Sequence, residues 1–161
     1  MNRKLAGLFI IVFMVALMGA STAISATTDA LPLFKLDKTI TFVTTEDTSY
    51  RQSVDDAAGY WLYLRGSVSF GGREIGHYLT IMRGFKALDL GLNSATTTTT
   101  VYFGSTAPYQ NITLQGTHDF GSGKDIGSVS AASAEYAPLI GANFVFSNGS
   151  LGAPGKLVLN W

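Results

Sequence analysis

The sequence predicts an all-β protein, a single small antiparallel β-barrel of about eight strands with a calycin-like shape, after an N-terminal signal peptide. Three observations predict this fold. Threonine and aromatic residues are plentiful, and glycine occurs 18 times while proline occurs only four times. Segments that alternate between apolar and polar residues are separated by short glycine-containing turns, and stretches with helical spacing are missing after the first 26 residues. This composition and spacing are typical of strands joined by tight turns.

The first 26 residues have the three parts of a secretory signal. Arg3 and Lys4 form a basic start, positions 5–18 carry no charge, and positions 19–23 are small. Cleavage after Ala23 or after Ala26 fits this pattern, and we favour Ala26 because a polar segment follows it. An uncleaved membrane anchor is the alternative, but the apolar stretch is shorter than the roughly 20 residues that a spanning helix needs.

We therefore divide the chain into a signal peptide (1–26) and a β-barrel domain (27–161). The expected localisation is secreted or cell surface, with membrane contact only through the signal segment. After Ala26 the chain has nine basic and 11 acidic residues. No cationic surface is available to hold phosphates, so we expect no nucleic-acid partner. A homo-oligomer is compatible with the sequence.

The composition also excludes several kinds of chemistry. Cysteine is absent, which rules out thiol catalysis, iron–sulfur clusters and cysteine-bound zinc. The chain has two histidines, His77 and His118, but no third ligand stands at a recognisable metal-site spacing. The glycine-rich segment 121–123 is not followed by the residues of a phosphate-binding loop. We therefore predict no metal and no cofactor.

The alternation and the turn residues place the strands in order along the domain. The predicted strands are Thr39–Thr45, Tyr60–Phe70, Arg73–Phe85, Thr96–Phe103, Asn111–Phe120, Ile126–Ser133, Ile140–Ser147 and Leu157–Trp161. The polar segment 46–56 predicts a loop or a short helical turn, and the short segment 89–93 is a further candidate for pairing. Turns are expected at 104–109, 121–125 and 148–149.

Particular residues justify the central elements. Two adjacent glycines, Gly71 and Gly72, predict a tight hairpin, because such turns need positive φ. Gly66 interrupts an apolar run and predicts a bulge or a bend. The five threonines at 96–100 are β-branched and favour a strand over a low-complexity linker. Closure of the sheet removes its open edges, and an eight-strand barrel is either filled by side chains or holds one small ligand.

Four motifs resemble the barrel family that includes allene oxide cyclases and plant dirigent proteins. They are a hairpin at 70–77 (FGGREIGH), a strand ending in Gln-Gly at 111–116 (NITLQG), a small-residue strand at 125–130 (DIGSVS), and the segment 136–144, where Tyr136 precedes Gly141 and a new strand. Their order and spacing agree over about residues 60–147. The family commonly has a Gly-Gly-Thr-Gly type turn after the third motif, whereas this chain has Ala131-Ala132-Ser133-Ala134. The resemblance implies a barrel that encloses an apolar small molecule and steers a cyclisation or an isomerisation.

Candidate site residues follow from the barrel. Glu74 and His77 are candidate catalytic residues on the central hairpin, although alternation puts them on opposite faces unless the strand carries a bulge. Aromatic and apolar side chains of the strands are candidate ligand contacts: Tyr60, Leu62, Tyr78, Tyr102 and Phe144. The same side chains could instead fill the core, which is the usual role of aromatic residues in a small β domain. Asn111 and Asn148 begin N-glycosylation sequons.

Two classes of function remain open. The first is a barrel that binds an apolar small molecule, either as an isomerase or cyclase or as a lipocalin-like carrier. The second is a non-catalytic exported domain with a filled core that acts in surface interaction. A cavity of at least about 300 Å³ would favour ligand chemistry, and a solidly packed interior would favour the second class.

Overall fold

A computed structural model of the chain describes residues 38–56, 59–85, 94–105, 107–147 and 153–161. These residues form nine strands and two short 3-10 helices. The strands are β1 (Thr39–Glu46), β2 (Gln52–Asp56), β3 (Gly59–Phe70), β4 (Arg73–Phe85), β5 (Ser94–Phe103), β6 (Gln110–Asp119), β7 (Lys124–Ala132), β8 (Asn143–Ser147) and β9 (Gly155–Asn160). The 3-10 helices are Thr48–Tyr50 and Ala134–Leu139.

The strands close into an eight-stranded antiparallel barrel with one extra strand. Each of β3 to β8 pairs with the next strand along the chain, and β1 pairs with both β9 and β3. The contact between β1 and β3 joins the two ends of the sheet, so the barrel has no open edge at that point. The predicted fold class is therefore confirmed.

The extra strand, β2, continues the line of β1 along β3. Residues 43–46 of β1 pair with 66–69 of β3, and residues 52–56 of β2 pair with 59–63. Five residues, 47–51, therefore stand opposite only two residues of β3. They leave the sheet as a loop that contains the first 3-10 helix, and the side chain of Asp47 caps that helix by accepting from the backbone N–H of Ser49 at 3.2 Å.

Alternation along each strand separates the inside from the outside of the barrel. On β1, for example, Ile40, Phe42 and Thr44 are buried while their neighbours are exposed. The fully buried interior is mostly apolar, and its largest side chains are Tyr78, Phe42, Phe144, Phe146, Leu64, Ile112, Leu114, Leu139, Leu157 and Leu159. Most of this core lies in the middle of the barrel and at one of its ends.

The second 3-10 helix closes that end of the barrel. Its Tyr136 and Leu139 are buried, and the ring of Tyr136 stacks on Phe103 with 4.6 Å between the ring centroids. The β3–β4 and β6–β7 pairs each carry a bulge near this end of the barrel, and each bulge bends its strand. Ile75 of β4 and Ser130 of β7 are the extra residues, because the pairings on either side of them skip one position.

The structure departs from two sequence predictions. Residues 46–56 were predicted as a loop or a short helical turn. Residues 48–50 form such a turn, but β2 occupies 52–56, where the backbone continues the pairing along β3. The strand predicted from Ile140 begins only at Asn143. Ile140 directly follows the closing helix of residues 134–139, and Gly141 has a φ of +90°, a conformation that favours glycine.

Several predictions fall on residues that the structure does not describe. They are the signal segment 1–26, the short segment 89–93, the turn at 148–149 and the sequon at Asn148. In the described ranges, no helix has the length and apolar character needed to cross a membrane.

Candidate functional site

The candidate site lies at the end of the barrel opposite the closing helix. Strands β1, β4, β6 and β8 finish at this end, and β3, β5, β7 and β9 begin there. Interior-facing side chains that are only partly buried lie here, including Tyr60, Leu62 and His118. We call this region the open end.

A histidine and an aspartate lie side by side on neighbouring strands at the open end. His118 of β6 and Asp125 of β7 are direct partners in the ladder, so their side chains point to the same face. Asp125 is buried, with 1% of its side chain exposed, and it belongs to the interior face with Val129. His118 Nδ1 lies 2.6 Å from Asp125 Oδ1, which is a short hydrogen bond, and 13% of the imidazole side chain is exposed.

The turn between β6 and β7 sets the register that makes this pair. The Asp119 carboxylate accepts hydrogen bonds from the backbone N–H groups of Gly121 at 2.9 Å and Ser122 at 3.3 Å. The N–H of Gly123 donates to the Asp119 carbonyl at 2.8 Å, and Gly123 has a φ of +67°. Because the turn is closed at both ends, the strands leave it with His118 opposite Asp125.

The environment of Asp125 disfavours its charge. Burial raises the pKa of Asp125 above its ordinary value of 3.8, and the hydrogen bond and charge interaction with His118 oppose this shift. Its second oxygen, Oδ2, is buried and has no hydrogen-bond partner among the described residues. An unsatisfied buried carboxylate oxygen is costly, so this atom is the least satisfied polar group of the pair.

Aromatic rings stand beside the pair. Phe120, 40% exposed, meets His118 edge-on at 4.7 Å between ring centroids and Tyr60 at 6.4 Å. The ring of Tyr60 covers the space where a side chain at Gly84 would stand. Its hydroxyl donates to Met82 Sδ at 3.8 Å, and burial raises its pKa. The open end therefore combines an imidazole–carboxylate pair with two exposed or half-exposed aromatic rings.

Burial below the open end limits how deep a ligand can lie. Thr80 and Thr99 hydrogen-bond to each other at 2.7 Å through buried hydroxyls. Tyr78 is buried beneath them, and burial together with the negative charges of Glu46 and Asp125 raises its pKa, so the phenol stays protonated. A ligand would thus rest at the open end rather than pass through the barrel.

The structure separates the residues predicted from the sequence. Tyr60 and Leu62 face the interior at the open end, whereas Tyr78 and Phe144 are each only 1% exposed and pack in the core. Tyr102 lies on the outer wall. Glu74 is exposed at the hairpin and His77 is also on the outer wall, so neither shares the open end with His118.

His77 belongs to an outer surface with features of its own. Its ring stacks on Tyr102 at 4.9 Å and meets Tyr109 at 5.2 Å between centroids. It also borders a groove of about 460 Å³ on the outside of β1, β3 and β4. The groove is lined by Thr45, Glu46, Asp47, Arg65, Gly66, Ser67 and His77. Asp47 and Arg65 form an ion pair there, and the Arg65 guanidinium lies 4.5 Å from the ring centroid of Tyr50.

Sequence reasoning missed the pairing of His118 with Asp125. Both residues flank the glycine-rich turn at 121–123, and the sequence pattern treats His118 only as one of two histidines and Asp125 only as the end of a turn. A ladder drawn symmetrically about that turn would have placed them opposite each other. Within the described ranges, no group of three or more histidine, aspartate or glutamate side chains is arranged to hold a metal ion.

The raised pKa of Asp125 predicts a pH-dependent stability. An acid whose pKa is higher in the folded state holds its proton more tightly when folded, so its contribution to stability is greatest at acidic pH. That contribution is lost as the pH rises above about 3.8 and through the folded pKa. Relative to Asp125→Asn, the wild type is expected to lose thermal stability over this window. Thermal unfolding of both proteins between pH 4 and 8 checks this, and a pH-independent difference in Tm would contradict it.

Comparison with known proteins adds information on the fold. No model of a known protein family matches the chain, and no curated protein matches it. Among solved structures, the chain is similar to pyocyanin demethylase, with 11% sequence identity and a TM-score of 0.56. The match covers 76% of this chain and 98% of that protein, so the two share the barrel fold.

Proposed function

We propose that the barrel binds a flat apolar small molecule at its open end and that His118 and Asp125 move a proton on it. The observation that carries this proposal is the 2.6 Å contact between an interior imidazole and a buried carboxylate. A histidine held in place by a carboxylate can accept and return a proton near neutral pH, which is the central requirement of general acid–base catalysis.

The neighbouring side chains support a flat ligand. Phe120 lies next to His118 and Tyr60 lies next to Phe120, and aromatic rings prefer to stack on or meet other rings at centroid distances of about 4.5–7 Å. The similar solved barrel carries the name of an enzyme, pyocyanin demethylase, so this fold is compatible with catalysis. The resemblance to allene oxide cyclases and dirigent proteins suggests an isomerisation or cyclisation, and proton transfer at the open end fits an isomerase. Export by the segment 1–26 stays part of the proposal.

The first experiment maps where a flat molecule binds. The chain has only two histidines, so their imidazole NMR signals can be assigned with one substitution each. Phenazine, 1-naphthol and flavone are titrated into the full chain. Saturable shifts of the His118 signal are expected, with affinity about tenfold weaker in Tyr60→Leu because one aromatic wall is lost. Tyr102→Leu, on the outer wall, is the matched control and should bind normally. If no probe shifts His118, the proposal fails.

The second experiment tests proton transfer. The probe is 2-indanone, a flat ketone with acidic carbon-bound hydrogens, and its uptake of deuterium from D₂O is followed by NMR. The wild type should exceed buffer alone, and His118→Gln should lower the excess by about 100-fold, the typical contribution of a general base. An equal rate in both proteins would overturn the catalytic part of the proposal and favour a carrier.

The outer groove favours a second candidate function, which is surface recognition by a barrel with a filled core. The groove has a volume of about 460 Å³, contains the ion pair of Asp47 and Arg65, and lies away from the open end. The rings of Tyr102 and Tyr109 adjoin it. The histidine titration distinguishes the two. Binding on the outer surface would shift the His77 signal and leave His118 unchanged.

A further inference from the structure

The least satisfied atom of the candidate site points to the chemistry of its ligand. Asp125 Oδ2 is buried in a side chain that is 1% exposed, and none of the described residues hydrogen-bonds to it. The other carboxylate oxygen, Oδ1, is hydrogen-bonded to His118 Nδ1. Buried polar groups in proteins nearly always have partners, so the missing partner of Oδ2 calls for an explanation.

Oδ2 is a hydrogen-bond acceptor whenever the proton shared by the pair lies on either of the two bonded atoms. One proton lies between His118 Nδ1 and Asp125 Oδ1 at their 2.6 Å separation. If that proton belongs to the imidazole, Asp125 is a carboxylate and Oδ2 carries free lone pairs. If it belongs to Oδ1, then Oδ2 is the carbonyl oxygen of the acid. In both cases Oδ2 accepts a hydrogen bond and has none to donate.

The described part of the chain supplies no cation for this atom. Its lysine and arginine side chains are all exposed rather than turned into the barrel. They are Lys38, Arg51, Arg65, Arg73, Arg83, Lys124 and Lys156.

We infer that the ligand of the open end is a flat heteroaromatic or phenolic molecule that donates a ring N–H or an O–H to Asp125 Oδ2. This inference rests on the proposed function and specifies its substrate class. The aromatic walls select the flat shape, and the buried acceptor selects the donor. A site built around a buried polar group discriminates strongly against an analogue that leaves that group unpaired.

A matched pair of probes tests the inference. Indole and benzofuran have the same size and shape, but only indole carries an N–H donor. Their affinities for the full chain are measured by the shift of the His118 NMR signal. Indole is expected to bind at least about tenfold more tightly than benzofuran, since only indole can donate a hydrogen bond to the buried carboxylate oxygen.

Asp125→Leu removes the acceptor and keeps a side chain of similar size. In this variant the preference for indole should disappear, and benzofuran should bind at least as tightly as it does to the wild type. Benzofuran binding also shows that the variant is folded. Glu74→Gln, on the exposed hairpin at the other end of the barrel, is the control and should keep the preference.

The outcomes separate the two proposals. If both probes bind the wild type with equal affinity, a bound water rather than the ligand satisfies Oδ2, and the inference is overturned while the binding site stands. If neither probe binds, the proposed function fails together with it. If the preference persists in Asp125→Leu, the donor is recognised elsewhere and the assignment to Oδ2 is wrong.

Discussion

Replacement of Phe144 by alanine is expected to lower the free energy of unfolding by about 3–5 kcal/mol. The side chain is 1% exposed, and its ring fills the space beside Gly116, where an added Cβ would come within 2.9 Å of Phe144 Cζ. Because Gly116 and its ladder partner Gly127 have no side chains, nothing in that part of the wall can move in to fill the cavity that alanine would leave. The loss is therefore expected at the upper end of the range for a buried phenylalanine.

Val145→Ala is the matched control for this change. Val145 is the next residue on β8 and its side chain points to the outer wall, so its truncation should cost less than about 1 kcal/mol. Urea unfolding followed by tryptophan fluorescence measures both variants. A loss below about 1 kcal/mol for Phe144→Ala would show that the ring is not part of the packed core. It would then return Phe144 to the set of ligand contacts that the sequence predicted.

Local patterns were sufficient to predict the barrel. The hairpin at Gly71-Gly72 has φ values of +59° and +80°, as the glycine pair predicts, and the threonine run lies within β5. These elements depend on residues that are adjacent in the sequence, namely glycines that tolerate positive φ and β-branched residues that suit a pleated surface. Both preferences can be recognised without knowing the partner strand.

Elements that depend on distant pairing could not be predicted in the same way. Positions 52–56 are polar and irregular in sequence, and they become a strand only because β3 continues past the end of β1. Gly66 was predicted to mark a bulge or a bend, and the extra residue of that hairpin is Ile75 on the opposite strand. Gly66 instead makes room for the ring of Tyr78, which lies against it inside the barrel.

The same reason explains why the candidate site escaped sequence analysis. Alternation assigns Tyr60 and Leu62 to one face, but it does not say which face is the interior or which end of the barrel is open. His118 and Asp125 are seven positions apart and become neighbours only through the register of one hairpin. A shift of that register by one residue would turn one partner to the outer wall.

That register also governs the second large effect, which is expected from Gly127→Ala. A Cβ at position 127 would overlap the carbonyl oxygen of Gln115 and approach Gly116 Cα within 2.5 Å. These are backbone atoms of the neighbouring strand and cannot rotate away as a side chain could. Overpacking usually lowers the free energy of unfolding by about 1–3 kcal/mol, and a fixed backbone cannot relieve the overlap. We therefore expect Gly127→Ala to lower it by about 3 kcal/mol or more.

Gly121→Ala tests whether this loss comes from position rather than from glycine itself. Gly121 lies in the turn that joins β6 to β7, and an added Cβ would stand 3.3 Å from Asp119 Oδ1, which belongs to a side chain that can adjust. This control should change stability by less than about 1 kcal/mol in urea unfolding.

The Gly127 variant should also lose the close contact of His118 with Asp125, because the two strands must separate or slip to admit the methyl group. If Gly127→Ala unfolds like the wild type and the His118 NMR signal is unchanged, then β6 and β7 do not approach each other as closely as the barrel requires. His118 and Asp125 would then not be opposite each other in the β6–β7 ladder, and the candidate site would have a different geometry.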